Sequence, residues 1–88
     1  METNYTKGEW MAKEGQIYAT GTGKTLALIP YFDEENKEEA ANARLIAAAP
    51  ELLNCCMDVL RIMDLKPTYT NQYQRNKIED AIRKATEL

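Results

Sequence analysis

The alternation of apolar and polar positions changes period near residue 30. From Gln16 to Thr20 the two kinds of residue alternate, with Ile17 and Ala19 on one side and Tyr18 on the other. That two-residue rhythm is the mark of a half-buried strand. Gly21-Thr22-Gly23-Lys24 supplies a turn, and Thr25-Leu26-Ala27-Leu28-Ile29 reads as a second strand ended by Pro30, which cannot donate to a ladder. The pair predicts an antiparallel hairpin. A lone hairpin is marginal in water, so it needs a covering helix or a third strand, which residues 8–12 around Trp10 are placed to supply.

Beyond residue 33 the spacing becomes helical. Ala40, Ala41, Leu45, Ala48 and Ala49 recur at intervals of three and four and predict a helix over about 34–48 with Asp33 as its N-cap. Pro50 disfavours helical geometry at Ala49 and suits the first position of a new helix, so the chain is expected to break there. Leu52, Cys56, Val59, Leu60 and Met63 form the apolar stripe of a second helix over about 50–64. A third is expected over 71–86, capped by Thr70 or Asn71, with Ile78, Ala81, Ile82 and Ala85 on one face. The fold class is α+β: an N-terminal hairpin or three-stranded sheet over about 8–30, packed on two or three helices, in a single small domain of residues 1–88.

Composition narrows the function classes. The 88 residues include no histidine, which removes the commonest general base and zinc nitrogen ligand. No apolar run approaches the roughly 20 residues that span a bilayer, and the opening Met1-Glu2-Thr3-Asn4-Tyr5 does not read as a signal peptide. The net charge is −3, the opposite of the basic excess that phosphate neutralisation calls for. The acidity is local. In residues 33–51 six acids (Asp33, Glu34, Glu35, Glu38, Glu39 and Glu51) meet only Lys37 and Arg44.

Three groups of residues carry candidate chemistry. The string Thr20-Gly21-Thr22-Gly23-Lys24-Thr25 resembles a phosphate-binding loop. The full pattern, however, needs a glycine where Tyr18 stands, and a long helix where Leu26-Ala27-Leu28-Ile29-Pro30 follows. A hairpin turn is the expected reading, with Gly21, Gly23, Lys24 and Thr25 as an alternative anion nest for a nucleotide signal. The acidic run Asp33, Glu34, Glu35, Glu38 and Glu39 is either a solvated helix start or a negative patch for a basic protein surface. Trp10, Tyr31 and Phe32 are either core residues or interface anchors. Cys55 and Cys56 are neighbours on a helix and point about 100° apart, so neither a mutual bridge nor a zinc site is expected. Cys56 reads as a small core residue and Cys55 as partly exposed. No metal, cofactor or catalytic group is expected.

The segment Asn42-Ala43-Arg44-Leu45-Ile46-Ala47-Ala48-Ala49-Pro50-Glu51-Leu52-Leu53 resembles the signature of a family of small bacteriophage and prophage proteins. The early Trp10, the hairpin and the closing Ala81-Ile82-Arg83-Lys84-Ala85 are similar too, while Asn54-Cys55-Cys56 and the linker at 65–70 depart from it. The resemblance implies phage origin and action in the host bacterial cytoplasm. Small acidic phage proteins of this kind include inhibitors of host defences, anti-CRISPR proteins among them. The expected function is therefore a non-catalytic binding protein that inhibits a host immune complex through its acidic surface, with neither nucleic acid nor membrane as direct partner. The alternatives are an oligomer that sequesters a nucleotide immune signal and a self-associating accessory protein, a homodimer with the 52–63 stripe as its seam.

Overall fold

A computed structural model describes residues 4–30, 32–33, 35–66 and 71–86. The elements run β1 (Trp10–Lys13), β2 (Gln16–Ala19), β3 (Thr25–Leu28), α1 (Lys37–Ala47), α2 (Ala49–Leu65) and α3 (Gln72–Thr86). The fold class is α+β, and the three strands form one antiparallel sheet in the order β1-β2-β3. The third strand expected around Trp10 is β1. The chain divides into two compact units, Thr6–Pro50 and the part from Glu51 onward with the residues before Thr6.

In the first unit, β1 and β2 are joined by Glu14 and Gly15, whose φ angles of 51° and 77° are both positive. Two such residues match the right-handed twist of the flanking strands. The register pairs Trp10 with Ala19, Ala12 with Ile17, and Ile17 with Ala27, so these residues share one face of the sheet. α1 packs on β1 and β2, which leaves Ile17 at 0% and Ala19 at 1% exposure and buries Ala43 of the helix. A register shift between Ile17 and Tyr18 sets Leu26 outside the paired positions of β3, a bulge that bends an edge strand.

The start of α1 differs from the sequence expectation. Its N-cap is Asn36, not Asp33, because the Asn36 side chain accepts the N–H groups of Glu38 at 3.0 Å and Glu39 at 3.3 Å. The helix therefore begins at Lys37 rather than near residue 34. Its inward positions are Ala40, Ala43, Ile46 and Ala47, whereas Leu45 is 63% exposed. Alanine at 40, 41, 43 and 47 makes the phase of such a helix hard to read from spacing alone. The break expected near Pro50 falls at Ala48 (φ −83°, ψ −4°), and Pro50 is the second residue of α2, where its missing N–H has no partner to lose.

In the second unit, α2 half-buries Leu53, Cys56, Met57, Leu60 and Met63. Leu52 and Val59, assigned to the same stripe by spacing, are 50% and 42% exposed. α3 buries Ile82 and half-buries Arg75, Ile78 and Glu79, while Ala81 and Ala85 face outward. Its cap is Asn71, whose Oδ1 accepts the N–H groups of Tyr73 at 2.9 Å and Gln74 at 3.3 Å. Thr70 lies outside the described residues. The Arg75 guanidinium joins the end of α2 to α3 by meeting both Asp64 and Glu79, and the hydrogen bond it donates to the Asp64 carboxylate holds its pKa above the ordinary arginine value.

Candidate interaction surfaces

The acidic segment is built around the α1 cap. Asp33 Oδ1 accepts the N–H of Glu35 at 2.9 Å, and Glu39 Oε2 reaches back to accept the N–H of Asp33 at 2.8 Å. Two of the five candidate acids thus hold the backbone at the helix entrance. Glu35 and Glu38 are exposed, and among the described residues no ion pair engages either one. Glu34 lies outside the described residues. Glu38 stands in the first turn, where the helix dipole favours negative charge.

The Gly21–Thr25 loop connects β2 to β3. Gly23 takes a φ of 71°, and its N–H donates to Ala19 O at 2.7 Å. The Lys24 N–H donates to Thr22 Oγ1 at 3.3 Å, the Lys24 carbonyl accepts from Ala19 N–H at 2.9 Å, and Thr25 Oγ1 accepts from the Gln16 side-chain amide. Gly23 and Lys24 therefore spend their backbone N–H groups inside the hairpin. The whole loop is exposed.

Of the aromatic candidates, Trp10 is half-buried on the packed face of β1 and donates its indole N–H to Thr6 O at 3.0 Å. Phe32 is half-buried against the β1–β2 turn, 2.5 Å from where a Cβ on Gly15 would stand. Both act in packing the first unit. Tyr31 lies outside the described residues. Among the described residues no three His, Cys, Asp or Glu side chains gather as a metal-ligand group, and no helix is long and apolar enough to cross a membrane.

Spacing alone did not separate out one surface. Leu52, Val59 and Ile62 are 50%, 42% and 53% exposed, and Cys55 is exposed beside them. Positions 52, 55, 59 and 62 are spaced by three, four and three, so they lie in one line along α2. The signal was in the sequence, but Leu53, Cys56, Met57, Leu60 and Met63 make a second line at similar spacing, and burial is needed to tell the two apart.

No curated protein and no solved structure matches the chain. The sequence model of one family, described as Salmonella phage P22 protein Y8K6, matches residues 1–87. That span includes the strands, the three helices and the Asn42–Leu53 segment, and the chain belongs to this family of phage proteins.

Proposed function

We propose that the protein is a phage-encoded binding protein without catalytic activity, which inhibits a host protein complex by occupying a basic surface with the acidic entrance of α1. The observation that carries this reading is the division of labour among the acids. Asp33 and Glu39 hold the backbone, and this leaves Glu35 and Glu38 exposed at a fixed helix start. A preorganised negative patch loses less entropy on docking than a flexible one and speeds encounter with a positive partner. A host immune complex that handles nucleic acid, CRISPR–Cas among them, offers such a surface in the cytoplasm where a phage protein acts.

The partner protein is favoured over a nucleotide because the Gly23 and Lys24 amides are already engaged within their own hairpin. The test is affinity capture from host lysate with the wild type and with Glu34→Lys, Glu35→Lys and Glu38→Lys combined. Loss of a specific partner with the helical circular dichroism retained supports the reading. Capture of the same partner by both proteins overturns it.

A further inference from the structure

We draw no further inference here: the strongest candidate, the exposed line of Leu52, Cys55, Val59 and Ile62 along α2, is an unpartnered helix face, and nothing in the structure shows what covers it.

Discussion

A Cβ built on Gly15 would stand 2.5 Å from both Cβ and Cγ of Phe32. The tight turn between β1 and β2 thus also forms the seat of the segment that leads into α1, and Gly15 serves both roles by having no side chain. Its φ of 77° adds a second constraint, since an L residue is strained there. Gly15→Ala is therefore expected to cost about 2 kcal/mol and to lower the melting temperature by roughly 10 °C. Gly21 has no positive φ and nothing within 4 Å of its Cβ position, so Gly21→Ala should stay within about 0.5 kcal/mol of wild type. Thermal denaturation followed by circular dichroism compares the two; equal melting points would show that Phe32 does not rest on the turn.

The cap of α1 makes a second contrast. Asn36 accepts two first-turn N–H groups, so Asn36→Ala should destabilise by about 1 kcal/mol. Glu35 has no such role, and Glu35→Ala should leave the urea midpoint nearly unchanged, because its exposed carboxylate is spare to the fold. If Glu35→Ala were as costly as Asn36→Ala, the acid would belong to the cap and the proposed partner surface would shrink to Glu38.

Arg75 is the junction of the second unit. It meets Asp64 across the α2–α3 connection and Glu79 one turn along α3. Exposed ion pairs contribute little singly, but here one cation serves two carboxylates and its stem is half-buried. Arg75→Met keeps the stem and removes the charge. It is expected to lower the urea midpoint at low salt and to lower it less at high salt, where screening weakens the wild-type pairs. Chemical denaturation in urea at two ionic strengths measures this; a cost independent of salt would place the role of Arg75 in packing.

The β2–β3 hairpin was legible in the sequence because its signals are local: alternation at Ile17, Tyr18 and Ala19, Gly21 and Gly23 at the turn, and Pro30 just past the last strand; the turn at Glu14-Gly15 that adds β1 was not read from spacing. The helix faces were less so. Between Ala40 and Ala49 nearly every phase offers an alanine, and along α2 apolar residues cover two lines rather than one, so spacing assigned Leu45, Leu52 and Val59 inward where the structure turns them out. The cap moved from Asp33 to Asn36 because several residues in that stretch are competent caps, and only the backbone path selects one. The acidic surface was legible as composition, but the use of Asp33 and Glu39 in holding the helix entrance is visible only in their hydrogen bonds.

Burial also separates residues that composition treats alike. Ile82 is 1% exposed and Leu65 74%, though both are large aliphatics on helices of the second unit. Truncating Ile82 removes contacts on all sides and leaves a cavity, so Ile82→Ala should cost about 2–5 kcal/mol. In a chain of this length that is a large share of the total stability, and the variant should be partly unfolded at ambient temperature. Leu65→Ala removes a side chain that is mostly in water and should change stability by less than about 0.5 kcal/mol. Ile17→Ala, at 0% exposure in the first unit, makes the matching test there. Amide hydrogen exchange on the Ile17 and Ile82 variants reads which amides lose protection. Loss confined to Thr6–Pro50 in one and to Glu51 onward in the other would show that the two units unfold separately. Loss throughout the chain in both would show that they fold as one cooperative body.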